Sequence, residues 1–162
     1  MTRTTAIGPR IAAVLETWAY AVWLGGLAGF ALIFAPIAFH TVHDLPLFAA
    51  LTASNLHALT TVGYACGAVA IVCALLRSIG ASERAPDFAR AGLVIAMLVL
   101  VAFQAQQIQP RMEAATLDAT LPKDDPRHVA YDGLHKDSTF VVGGALLIGF
   151  IALAMAATRP LE

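Results

Sequence analysis

Four stretches of the chain are almost free of charge, and each is long enough to cross a lipid bilayer as a helix. They run at about 12–37, 56–77, 89–109 and 138–158. Each supplies at least about 20 residues, or roughly 30 Å of helix, which matches the hydrocarbon thickness of a membrane. The pattern predicts an all-α fold, an integral membrane four-helix bundle forming one domain over residues 1–162. The segment 110–137 is the longest stretch outside the spans. Pro110 is placed to kink or end the third helix, and Pro122, Asp124, Asp125 and Pro126 form a turn. A short helix from about Arg127 leads into the fourth span.

Composition sharpens this picture. Hydrophobic residues make up 59% and charged residues 13% of the 162 positions, against about a quarter charged in soluble domains. A net charge of −1 supplies no basic face for nucleic acid. Cys66 and Cys73 stand about 10 Å apart along one helix, too far for a mutual disulfide, and read as packing residues. Arg3 and Arg10 precede the first apolar run, as in a signal peptide. That run is longer than an h-region of about 7–15 residues and has no small-x-small site after it, so it reads as a retained span.

The basic residues set an orientation. With the N-terminus inside, the inner segments carry Arg3, Arg10, Arg77, Arg84, Arg90 and Arg159. The outer ones carry Arg111, Lys123, Arg127 and Lys136, diluted along the longest loop by six acids. The positive-inside rule then places both termini in the cytoplasm. In a bacterial inner membrane the loops 40–55 and 110–137 would be periplasmic. Glu16 at the entrance of the first span is expected to reach headgroups or water. Trp18, Tyr20 and Trp23 fit an interfacial aromatic belt.

Glycines mark where helices approach closely. Gly25 and Gly29 form one GxxxG pair and Gly63 and Gly67 another, with Gly143, Gly144 and Gly149 in the fourth span; packing within the bundle is the expected use, ahead of dimerisation.

All five histidines fall on the outer side. His40 and His43 share a face if their segment is helical, a partial metal site. His57, Thr61 and Tyr64 make a polar stripe on the second span. His135, Ser138 and Thr139 make one on the fourth, and Gln104, Gln107 and Arg111 one on the third. Lipid exposure of such stripes is costly, so they are expected to face one another. That constellation fits copper or zinc held by His135 with some of His40, His43, His57 and His128. Met112 is a soft ligand for cuprous ion, and Asp132 would orient an imidazole. It also admits a b-type haem between His57 and His135. Helix-gluing polar contacts account for the same residues without a ligand. No acid lies near the middle of a span, which argues against a proton-coupled transporter, and no catalytic constellation stands out.

Three segments together carry a family resemblance. They are Trp23-Leu24-Gly25-Gly26 with Phe34-Ala35-Pro36 and Phe39; Gln104 to Gln109 with Pro110-Arg111-Met112; and Leu134-His135-Lys136-Asp137-Ser138-Thr139. Their order resembles a four-helix domain-of-unknown-function family that includes eukaryotic transmembrane protein 205, from about Trp18 to Ile151. The resemblance carries over Gly25, Gly26, Pro36, Pro110, Arg111, Met112, His135 and Ser138. It implies a small polytopic membrane protein without established enzymatic chemistry, distantly similar to copper-resistance membrane proteins of the CopD type. Three functions follow as expectations: metal handling or tolerance at the outer face, an accessory subunit of a larger membrane complex or a homo-oligomer, and a haem-b binding protein.

Overall fold

A computed structural model describes residues 7–79, 85–115 and 124–158. Helix α1 (Ile7–Gly29) passes through a π segment, Phe30–Phe34, into α2 (Ala35–Thr41), and α3 follows at Leu45–Ser78. Helix α4 (Ala85–Phe103) passes through a second π segment, Gln104–Ile108, into α5 (Gln109–Ala114), and α6 spans Pro126–Ala157. Among the described residues there is no strand. Four helical stretches are long and apolar enough to cross a membrane: Arg10–Thr41, Pro46–Ser78, Asp87–Ala114 and Pro126–Ala157. The protein is an all-α membrane bundle, with each stretch longer than its sequence pattern predicts.

The reasons are local. Pro110 does not end the third span. A proline lacks an N–H and its ring crowds the carbonyl four residues back. Here the turn before it widens, and the N–H of Gln109 bonds to the carbonyl of Gln104. Pro36 is treated alike, with the N–H of Ala35 bonded to the carbonyl of Phe30. Both bulges let the helix continue past its proline. The expected 40–55 loop shrinks to a turn, because Asp44 caps α3. Its side chain accepts from the Leu47 N–H at 3.1 Å, and Pro46 stands in the first turn. Asp125 caps α6 in the same way, accepting from the Arg127 N–H at 2.9 Å, so the short helix expected at Arg127 is continuous with the fourth span. At 34 residues α3 measures about 51 Å, more than the roughly 30 Å hydrocarbon core.

The helices form a ring in which each packs on two neighbours, the first span closing against the fourth. Residues 7 and 158 lie at one end, here the terminal end. The turn at 42–44 and the start of α6 lie at the other, the loop end. Glycines set the closest approaches. A Cβ at Gly63 would stand 2.6 Å from Trp23 Nε1, and one at Gly67 2.7 Å from Leu98 Cδ2. One at Gly149 would collide with Leu24 and Met97.

An internal repeat underlies this packing. Pro36 and Pro110 stand 74 positions apart, as do Phe30 and Gln104, where the π segments begin, and Glu16 and Arg90. Trp23 and Met97 share that offset and are both buried. Leu24 meets Gly149 of the fourth span, while its counterpart Leu98 meets Gly67 of the second. The offset relates positions of the first and third spans, and each of the two leucines packs on a glycine of a different neighbouring span.

The interior is more polar than the exterior in its largest residues. The bulkiest fully buried side chains include Arg90, Tyr20, Glu16 and Asp87 beside Trp23 and Met97. Leu32, Ile33, Ile37, Phe140 and Leu147 are exposed. Such an exterior is stable in a bilayer, where lipid tails and leucine are equally apolar.

Candidate functional site

Among the described residues, two polar sites lie inside the bundle. At the terminal end, Glu16 sits nine residues into α1, Arg77 in the last turn of α3, and Asp87 and Arg90 in the first two turns of α4. Arg77 Nη1 donates to Glu16 Oε2 at 2.8 Å, and Arg90 Nε lies 3.4 Å from Glu16 Oε1. Arg90 also donates to Asp87. Side-chain exposure is 0% for Glu16, 7% for Arg77 and 1% for both Arg90 and Asp87. Two acids and two bases make the quartet neutral, which is the condition for burying it. It joins three spans. Tyr20, one turn along from Glu16, is fully buried and its hydroxyl finds no partner within the protein.

This overturns two expectations. Glu16 does not reach headgroups or water, because two arginines from other spans neutralise it inside. Tyr20 and Trp23 are core residues, 0% and 1% exposed, whereas Trp18 is 65% exposed on the outside of the bundle. Arg77 and Arg90, counted as inner-face charges, are ion-paired in the interior. Arg3, Arg84, Lys123 and Arg159 lie outside the described residues.

The second site is a small cavity toward the loop end, lined by all four spans, with Trp23, Thr60, Gln104 and Ala145 on its wall. Gln104 Nε2 donates to Ser138 Oγ at 2.8 Å, which ties the third span to the fourth. Gln104 Oε1 and Trp23 Nε1 are buried without a partner in the protein.

The three polar stripes do not converge. His57, Thr61 and Tyr64 are exposed on the second span, and His135 and Thr139 on the fourth. On the third, Gln107 and Arg111 are exposed while Gln104 is buried. The Gln104–Ser138 bond is the part that forms. A periodic stripe shows that a helix has a polar face, but the rotation of that face is set by glycine contacts such as Gly63 on Trp23. His40 lies in the last turn of α2 and stands edge-on to Phe39, whereas His43 lies in the turn beyond, so the two do not share a helical face. His135 stacks on Tyr131, with ring centroids 6.4 Å apart. His128 is partly buried and Met112 likewise. Among the described residues no three of histidine, cysteine, aspartate or glutamate group in a way that holds a metal ion. His57 and His135 are both exposed, and the cavity beside Trp23 and Gln104 measures about 20 Å³.

Of the glycines carried by the family motifs, Gly26 faces Leu59, with a Cβ there 2.9 Å from Leu59 Cδ2. Gly25 and Gly29 have nothing within 4 Å. The first GxxxG pair therefore does not pack within the bundle, and the second, Gly63 and Gly67, does. Pro36 and Pro110 act through the π segments described above.

The family model for a domain of unknown function, DUF4149, matches residues 18–120, more than half of the chain. The protein belongs to this family. The match takes in the second and third spans and most of the first, with both π segments, Arg77, Asp87 and Arg90. Glu16 lies two residues before it and the fourth span beyond it. No curated protein matches the chain, and no solved structure does.

The quartet was missed because an acid near the start of a span normally reaches water, and arginines at span ends are normally counted for orientation. The 74-residue offset linking Glu16 to Arg90 and Pro36 to Pro110 was the available signal. It pairs an acid with a base at equivalent places in two hairpins.

Proposed function

We propose that this DUF4149 protein works by assembly, as a non-enzymatic accessory subunit of a larger membrane complex, with its termini in the cytoplasm. The observation that carries this reading is the outward-facing stripe of His57, Thr61 and Tyr64 on the second span. Polar groups facing lipid are costly, and a neighbouring helix or a polar boundary relieves that cost. Gly25 and Gly29, open on the first span, supply a surface on which a partner's helix can approach closely. The neutral quartet serves this role by fixing three spans as a rigid unit. The test is native electrophoresis of gently solubilised membranes. A particle of defined composition larger than the monomer is expected, reduced in mass by Gly25→Leu with Gly29→Leu. Recovery only as a free monomer contradicts the proposal.

The resemblance to transmembrane protein 205 and to CopD-type proteins favours metal handling instead. In that reading His135, with histidines of a second copy or of a partner, holds copper or zinc at the loop end. Metal analysis of the purified protein separates the two, since stoichiometric metal lost on His135→Ala would favour this second role.

A further inference from the structure

We propose that the tip of the first hairpin (α1 to α3) is a lipid-docking surface, made by Ile37 and Phe39 of α2 with Leu47 and Leu51 of α3. The bundle then sits tilted, with this tip sunk in the leaflet at the loop end. The four side chains are 59%, 63%, 51% and 39% exposed. Phe39 meets Phe48 edge-on, with ring centroids 5.8 Å apart, which joins α2 to α3 at this height. Side-chain contacts fix the level of the tip. Gln109 Nε2 donates to the Ala53 carbonyl at 3.2 Å, which sets residue 109 of the third span roughly level with residue 53 of the second. At about 1.5 Å per residue, Arg111 then stands about 3 Å nearer the loop end and Leu47 about 9 Å. Arg111 is exposed. On the fourth span the exposed pair Asp137 and Lys136 begins one residue past Ser138, the partner of Gln104.

The charges of the third and fourth spans mark the edge of the hydrocarbon. From Arg90 to Arg111 the third span rises by 21 residues, or about 31 Å, which is the thickness of a hydrocarbon core. The first hairpin stays apolar about 6 Å past that edge. Upright, it would hold Phe39 and Leu47 among headgroups and water. A tilt of about 20°, usual for membrane helices, lowers one side of a bundle about 20 Å wide by about 7 Å. That closes the gap and leaves His43 and Asp44 of the turn at the headgroups. The same tilt carries the start of the third span toward lipid, where Asp87 and Arg90 are already paired inside. Lipid is the occupant because the tip continues an apolar face. Leu47, Leu51, Val62, Val69 and Leu76 are all exposed and stand close to whole turns apart along α3. His57 and Tyr64 point at least about 80° away from both leucines around the helix, so lipid at the tip leaves them open to a partner.

The experiment uses the full chain with Cys66→Ala and Cys73→Ala, reconstituted in vesicles of phosphatidylcholine and phosphatidylglycerol. Single cysteines replacing Phe39, Leu47, Arg111 and Lys136, all exposed, carry a nitroxide. Power saturation then compares access of lipid-soluble oxygen with access of a water-soluble nickel chelate. Labels at 39 and 47 are expected to favour oxygen, and labels at 111 and 136 the chelate. The same preference for the chelate at all four positions overturns the proposal, because the tip then stands in water. Shielding of 39 and 47 from both reagents overturns it as well, because protein then covers the tip. Should Phe39→Cys or Leu47→Cys fail to fold, labels at Ile37 and Leu51 decide by the same comparison. Native mass, which tests the accessory-subunit reading, does not enter this result.

Discussion

Glu16 and Arg77, 61 residues apart in sequence, meet inside the bundle with Arg77 Nη1 donating to Glu16 Oε2 at 2.8 Å. The first and second spans are therefore fastened at the terminal end by a charged contact and at mid-height by a glycine contact, Gly63 on Trp23. These two fastenings behave differently on mutation.

Removing one member of the quartet leaves charge uncompensated in a place without water. Glu16→Ala strands Arg77 and leaves Arg90 with Asp87, and a loss of about 3–5 kcal/mol is expected. Arg77→Ala leaves Glu16 with Arg90 and costs less. Thermal unfolding in detergent ranks the two, with Glu16→Ala melting well below Arg77→Ala. Equal melting temperatures for both variants and the unaltered protein would show the quartet to be solvated.

The glycines divide into two classes. Gly63→Leu and Gly67→Leu force side chains into Trp23 and Leu98, and overpacking of this kind costs about 1–3 kcal/mol or displaces a helix. Gly25→Leu and Gly29→Leu add side chains to open space and leave the melting temperature of the isolated protein unchanged. Any effect they have appears in native mass, not in stability. This contrast is checked on one series of purified variants.

Cap chemistry gives a pH dependence at the loop end. Side-chain and backbone hydrogen bonds from Arg127 hold the Asp125 carboxyl below its ordinary range. A carboxylate with a depressed folded pKa stabilises above its unfolded value, near 3.9, and that contribution is lost as pH falls through the folded value. The first turn of α6 is therefore intact at neutral pH and loosens in strong acid. The Arg127 amide signal should move between about pH 4 and lower values, and Asp125→Asn, which still caps, should remove that movement.

The four spans were legible because an uncharged run of about 20 residues has few alternatives to lipid. Their extensions were not. Pro36 and Pro110 look like breaks until the π turns before them are seen. The 45–55 stretch reads as a loop although Asp44 and Pro46 start a helix there. Of the polar residues, the Gln104–Ser138 contact was foreseen as part of a convergent patch, but His57, Thr61 and Tyr64 face outward. Helix rotation depends on which glycine meets which large side chain, and a single helix's pattern does not contain that information. Glu16 was misjudged for the same reason, since its partners come from two other spans.

The account stands on four helices crossing one membrane, and impermeant thiol labelling tests that most directly. In a background with Cys66→Ala and Cys73→Ala, single cysteines replace Arg10, His43, Asp124 and Thr158, all exposed. Residues 43 and 124 are predicted to label from one face of intact membranes, and 10 and 158 from the opposite face. Labelling of 43 and 124 from opposite faces, or equal labelling of all four without permeabilisation, would contradict the account.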